Sequence, residues 1–285
     1  MNLCGGSKTI RRYVNGDTMT KKKRDSLYSV WTVLIILCVL LVLFSLLFAS
    51  FSKVGGTTVK APAASATPVS STDVGVQPLA TTALLPETDD AGDSYVARIT
   101  FLSDSTTLGL KTNGILADGP TTTKVLSTAD GALSLSGISS VRIITGESTD
   151  TIVGAVTAAN PDILVITIGQ NGCAFMGETY FTTEYSSLVS AIKAACPNTV
   201  IICNSILPVT EAYATANSMD SDTIKTANNW IQQIAADNGC RYANSYEALT
   251  GANGYLDPRY DSGNGLVPNS DGLYAMLNYL KTHSV

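Results

Sequence analysis

The sequence predicts an α/β domain with a parallel sheet, preceded by one membrane-spanning helix and a tether. Three observations carry that expectation. From residue 97 onward strand and helix signals alternate, the pattern of a parallel sheet covered on both faces. The stretch from Asp162 to Gly172 opens as an unbroken Ile/Leu/Val run, suited to the middle of such a sheet. Residues 30–49 are twenty residues without a charge, enough to cross a bilayer as a helix.

The 285 residues are 45% hydrophobic and 14% charged, enough for one domain with a substantial core plus extensions. The net charge of −5 is unevenly placed. Lys8, Arg11, Arg12, Lys21, Lys22, Lys23 and Arg24 all precede the apolar run. From residue 94 onward nine Lys/Arg face sixteen Asp/Glu, a balance of −7 that argues against a nucleic-acid surface. The positive-inside bias puts residues 1–29 in the cytoplasm, an anchor at 30–52 and the acidic domain outside the membrane. A cleaved signal fits less well, because its apolar region is usually about 7–15 residues. Residues 53–94, rich in Ala, Thr, Ser, Pro, Gly and Val, read as a flexible linker. The domain is expected to fill residues 95–285.

Within it, residues 98–102 form a first buried strand, and Ser103-Asp104-Ser105 turns the chain into a helix that Asp104 or Ser105 can cap. Residues 123–127 form a weak second strand leading to Thr128-Ala129-Asp130-Gly131, and 141–145 a short extra strand. Ser148-Thr149-Asp150 caps a helix through Ala159, stopped by Pro161. The central strand, 162–168, is followed by a loop at 173–181. Its Phe175, Met176, Tyr180 and Phe181 either line a cleft or pack over the sheet edge. A helix at 185–195 precedes a buried strand at 199–203. A long amphipathic helix at 221–238 closes on Asn238-Gly239. A short strand at 241–243 and a final helix at 273–282 complete the chain.

Of six cysteines, Cys38 lies in the apolar run and Cys4 before it. Cys196 and Cys240 each precede a strand, and two readings stay open: a disulfide between them in an oxidising compartment, or buried free thiols. No Cys/His spacing suggests zinc, and no cofactor motif is present.

Two polar turns stand at strand ends. Ser105 follows the first strand and sits beside a positive helix start, a setting that suits a nucleophile. Asn171 follows the central strand and can point an amide at the same edge. Together, Ser103-Asp104-Ser105 and Gly169-Gln170-Asn171-Gly172 resemble the Gly-Asp-Ser and Gly-x-Asn blocks of the SGNH (GDSL-type) hydrolases. The resemblance runs from about residue 97 to the C-terminus. It implies a three-layer, flavodoxin-like fold with about five parallel strands. It also implies Ser105 as nucleophile, and the Ser105 amide, the Gly131 amide and the Asn171 side chain as oxyanion donors.

The resemblance breaks at the general base. The family's Asp-x-x-His block falls on Asn264-Gly-Leu-Val267, so Asn264 stands at the aspartate position and Val267 at the histidine position. Valine cannot take a proton, and asparagine cannot stabilise an imidazolium. The single histidine, His283, is expected as an exposed C-terminal residue, and Asp257 and Asp261 are the nearby carboxylates. The first functional expectation is a membrane-anchored hydrolase of ester or acetyl groups on envelope glycans, with weakened activity. The second is a relative that binds such groups without turnover, and a third is a structural envelope protein.

Overall fold

The computed structural model describes residues 83–285 apart from residue 147. The chain runs α1 (Gly92–Val96), β1 (Ile99–Ser103), α2 (Gly109–Thr112), β2 (Val125–Leu126), β3 (Arg142–Thr145), β4 (Ser148–Thr151), α3 (Ile152–Ala159) and β5 (Ile163–Thr167). It continues through α4 (Glu178–Ala195), β6 (Val200–Asn204), α5 (Glu211–Asn217), α6 (Ser221–Asp237), β7 (Arg241–Ala243), α7 (Ser245–Leu249) and α8 (Ser270–Thr282). Five strands make one parallel sheet in the order β2-β1-β5-β6-β7.

β1 and β5 are buried at every residue, as central strands covered on both faces must be. Their side chains alternate between two core layers. Ile99, Phe101, Ile163 and Val165 meet Leu273, Met276 and Leu280 of α8. Leu102, Leu164 and Ile166 meet Phe181, Tyr185, Ile192, Ile231 and Ile234 of α4 and α6. From β1 the chain steps to β2 on one side and later returns to β5 on the other. That reversal of strand order falls between β1 and β5, and in open parallel sheets it is at the carboxyl ends of such strands that ligands bind.

Several boundaries differ from the sequence reading, each for a local reason. Residues 148–151, expected to cap a helix, pair with β3 as an antiparallel hairpin, and Thr151 caps α3 by accepting from the Gly154 amide at 3.0 Å. This hairpin lies outside the main sheet. The loop expected at 173–181 ends earlier, because α4 starts at Glu178. Gly177 has no side chain to announce that start, yet Phe181, Tyr185, Leu188, Val189 and Ile192 form one buried stripe. Phe181 therefore belongs to the core, whereas Phe175 is 68% exposed. The final helix begins at Ser270, where Asn269 accepts from the Gly272 amide. α5 and α7 were not expected.

The linker also ends sooner than expected. Leu84 pairs in parallel with Tyr242, and the amides of Leu85 and Tyr242 bond Tyr242 and Ala83 across the outer edge of β7. Residues 83–85 thus pack on the domain, and this added segment covers a sheet edge that would otherwise expose unpaired amides. Among the described residues no helix is long and apolar enough to cross a membrane. The proposed span at 30–49 lies outside the described residues.

Candidate active site

Ser105 is positioned by the backbone. The Asp104 amide donates to the Thr167 carbonyl at 3.0 Å, extending the β1–β5 ladder one step beyond the strand. On the other side, the Ser127 hydroxyl donates to the Ser103 carbonyl at 2.7 Å, tying in the end of β2. The Ser105 turn is thereby held from both neighbouring strands at the carboxyl edge. Asn171 lies four residues beyond Thr167 on the same edge. Both residues are half-buried. Among the described residues, neither the amide and hydroxyl of Ser105 nor the side-chain amide of Asn171 has a hydrogen-bond partner.

Asp104, one residue before Ser105, is 1% exposed. Its Oδ1 accepts from the Thr106 amide at 2.9 Å and the Thr106 hydroxyl at 2.6 Å, and the Gln170 amide also donates to the carboxyl. Burial pushes its pKa up to about 6, against the pull of those hydrogen bonds. One carboxyl thus links the turn after β1 to the turn after β5. Cys173, deep in the second turn, donates to the Gln170 carbonyl at 3.4 Å. Its thiol is pushed up to about 12 by burial, with a smaller push from the Asp104 charge.

Gly131 reaches the same neighbourhood but does not present a free donor. Its amide donates to the Thr128 carbonyl at 3.1 Å, closing a turn. The oxyanion role expected for that amide is therefore not supported by its hydrogen bonding. The residue is nonetheless required to be small. Its φ is +70°, and a Cβ there would lie 2.4 Å from Leu108 Cδ2. Gly131 consequently abuts the helical turn that leads from Ser105 into α2.

The first turn of α8 lies against α2. Leu273 Cδ1 would be 2.6 Å from a Cβ on Gly109, and Asn113 Nδ2 donates to Ser270 Oγ at 3.4 Å. In the loop before α8, the Asn264 side chain accepts from the Leu266 and Val267 amides at 2.9 and 2.8 Å. Val267 is half-buried and carries no proton acceptor. Asp261 accepts from the Gly265 amide at 2.9 Å, and Asp257 is paired with Arg259 at 2.8 Å. That pairing, chiefly the hydrogen bonds from Arg259, lowers the Asp257 pKa.

His283 is half-buried rather than exposed, stacked on Tyr279 with centroids 3.8 Å apart. The 13 residues of α8 put it about 20 Å from Asn269, at the far end of the helix from the Ser105 edge.

A polar belt below the edge was not legible in the sequence. Asn204 is fully buried, donates to Thr167 Oγ1 at 3.1 Å and accepts from Ser245 Oγ at 2.6 Å. Ser205 Oγ accepts from the Tyr246 amide at 2.8 Å. These bonds join the carboxyl ends of β5, β6 and β7. The signal available was a polar residue closing each apolar strand. A cavity of about 510 Å³ lies elsewhere, between α1, the far half of α8 and residues 115–124, and includes none of these groups. Among the described residues no cluster of three or more His, Cys, Asp or Glu is placed to hold a metal.

Residues 92–273 match the model of the GDSL-like Lipase/Acylhydrolase family. The chain belongs to that family. The match spans the strands that carry Ser105, Gly131 and Asn171, and it stops in the first turn of α8. No curated protein matches the chain.

Among solved structures, a Streptococcus pneumonia protein described as a platelet activating factor is 20% identical over 65% of this chain and 82% of its own, with a TM-score of 0.46. A GDSL-like lipase from Bacteroides thetaiotaomicron is 19% identical over 64% and 84%, with a TM-score of 0.44. A carbohydrate esterase of family 3 from Talaromyces cellulolyticus is 19% identical over 64% and 93%, with a TM-score of 0.42.

Proposed function

We propose that this GDSL-family domain is an ester hydrolase of low turnover, acting outside the cell membrane on ester or acetyl groups of envelope glycans. The reading assigns Ser105 as the nucleophile. The Ser105 amide and the Asn171 side chain act as donors to the oxyanion that forms when its hydroxyl attacks the ester carbonyl. What carries it is the placement of Ser105 and Asn171 in the turns after β1 and β5, the two strands that flank the reversal in strand order, with their polar groups unpaired among the described residues. Gly131 contributes shape, as its amide is engaged by Thr128.

The low turnover follows from the base. Removing the histidine of a serine hydrolase costs about 10⁶-fold in turnover, and what remains is roughly 10³–10⁴-fold over water. With Asn264 and Val267 read as occupying the aspartate and histidine positions, the Ser105 proton has no evident acceptor. Residues 30–49 are read as the anchor, with the N-terminus cytoplasmic.

A second reading is favoured by one observation: the Asn264 oxygen is already engaged by two amides. On that reading the site binds esters without cleaving them. Turnover of p-nitrophenyl acetate by the full-length chain, against Ser105→Ala, separates the two. Ser105-dependent turnover supports the hydrolase, and equal rates in both proteins support the binder.

A further inference from the structure

The cavity of about 510 Å³ between α1, the far half of α8 and residues 115–124 is within the size range that small ligands occupy. Ala97 comes just before β1 and Lys124 just before β2, so the cavity lies at the amino end of the sheet. The five residues of β1, about 16 Å of strand, separate it from the Ser105 edge. It is therefore a different site from the one assigned to ester chemistry.

Its lining is mainly aliphatic. Leu116 and Leu277, both buried, make the floor, with Val96 and Ile115 half-buried beside them. Tyr274, Leu277, Asn278 and Lys281 follow the i, i+3, i+4, i+7 spacing of a helix, so one stripe of α8 faces the cavity. The charges around it divide by depth. Lys281, its side chain 17% exposed, pairs at 3.4 Å with Asp93, whose side chain is 99% exposed. Lys124 is half-buried, and among the described residues its ammonium has no partner. Asp118, the other carboxylate on the lining, is exposed. The cations are thus the more enclosed charges and the carboxylates the more solvated. Water screens exposed charges more than enclosed ones, which leaves the cavity attractive to an anion.

We propose that this cavity binds a medium-chain alkyl carboxylate, with its chain on the Leu116 and Leu277 floor and its carboxylate on the Lys124 ammonium. An aliphatic floor suits a flexible alkyl chain, and burying that chain supplies most of the affinity. The unpaired Lys124 ammonium adds a charge-assisted hydrogen bond and fixes which end of the ligand enters last. The Lys281–Asp93 pair has its carboxylate in water, so exchanging that partner costs little and Lys281 is a second donor within the same lining. The proposal goes beyond the chemistry assigned to Ser105 and does not rest on it.

The test uses the full-length chain and decanoate carrying a diazirine at the end of its chain. After irradiation and trypsin digestion, label is expected on residues 112–124 or 260–281, the two peptides that hold most of the lining. Unlabelled decanoate should compete the label away, whereas decanol, with the same chain and no charge, should not do so at equal concentration. Lys124→Glu, in which the first peptide runs on to Arg142, should weaken labelling about tenfold. Ala117→Trp, which fills the cavity from an exposed position, should remove it. Label confined to other peptides, or retained in both variants, would overturn the proposal. Equal competition by decanol would overturn it too. Far-UV circular dichroism checks that each variant is folded. If Lys124→Glu unfolds, Ala117→Trp and the two competitors decide.

Discussion

The Asp104 amide and the Thr167 carbonyl meet at 3.0 Å, one step past the last paired residues of β1 and β5. That bond keeps the two strand ends in register where they stop being strands. The turns that carry Ser105 and Asn171 therefore leave the sheet from two adjacent strands, placed by backbone geometry.

If Ser105 and Asn171 act together on an ester, their losses differ in kind. Ser105→Ala should abolish turnover, while Asn171→Ala should lower it by about 10²–10³-fold, the usual effect of losing one oxyanion donor. Initial rates on p-nitrophenyl acetate check both. An Asn171→Ala rate equal to that of the parent chain would remove the donor role.

Restoring the base should restore rate. Asn264→Asp keeps an oxygen able to accept from the Leu266 and Val267 amides, so the loop should tolerate it. Combined with Val267→His, it is expected to raise acyl-ester turnover by orders of magnitude, with Ser105→Ala cancelling the gain. No gain in a folded double variant would count against the assignment of these positions.

Asp104 sets a pH dependence of stability. Its carboxyl titrates near 6 in the folded chain, above its ordinary value of 3.8, so the folded state holds the proton more tightly than the unfolded state. Its contribution is fully present below pH 3.8 and lost as pH rises through about 6. The size is on the order of 3 kcal/mol. Asp130, Asp220 and Asp257 are shifted the other way, so their contributions are lost only as pH falls below the same ordinary value. Urea midpoints between pH 4.5 and 7.5 should therefore fall more steeply for the parent chain than for Asp104→Asn. Parallel slopes would show that Asp104 does not titrate in this window.

Gly131→Ala meets two obstacles, a positive φ and Leu108. The substitution should destabilise by about 1–3 kcal/mol. Because Leu108 closes the turn that starts at Ser105, it should also weaken any ester turnover. Denaturant midpoints and rates measured on one preparation test the link, and an unchanged midpoint would contradict it.

The topology is checked in intact cells. Protease added outside should digest the C-terminal domain and spare the N-terminus if residues 30–49 anchor the chain with its basic end inside. Protection of the domain, with the N-terminus cleaved, would reverse the orientation.

The central strands and the two turns that carry Ser105 and Asn171 were readable because central parallel strands write themselves as unbroken apolar runs. Such runs must end where the chain meets water, and a polar turn marks the place. Local chemistry also announced the end of α6, through Asn238 and Gly239, and the short β7 that follows.

Other features depended on partners remote in sequence. α4 started early because Phe181 is buried by Tyr185 and Trp230, while its cap, Gly177, carries no side-chain signal. Residues 83–85 looked like linker because an edge segment gains its hydrogen bonds from β7, not from its own composition. Asp104 reads as a helix cap in sequence, and only enclosure by Thr106 and the Gln170 turn makes it a buried carboxyl with a raised pKa. The same holds for Cys240. Sequence position suggested Cys196 as its disulfide partner, but Cys196 lies 3.6 Å from Thr157 Oγ1 and both thiols are free and buried, because where each turn packs is set by the whole core and not by either cysteine.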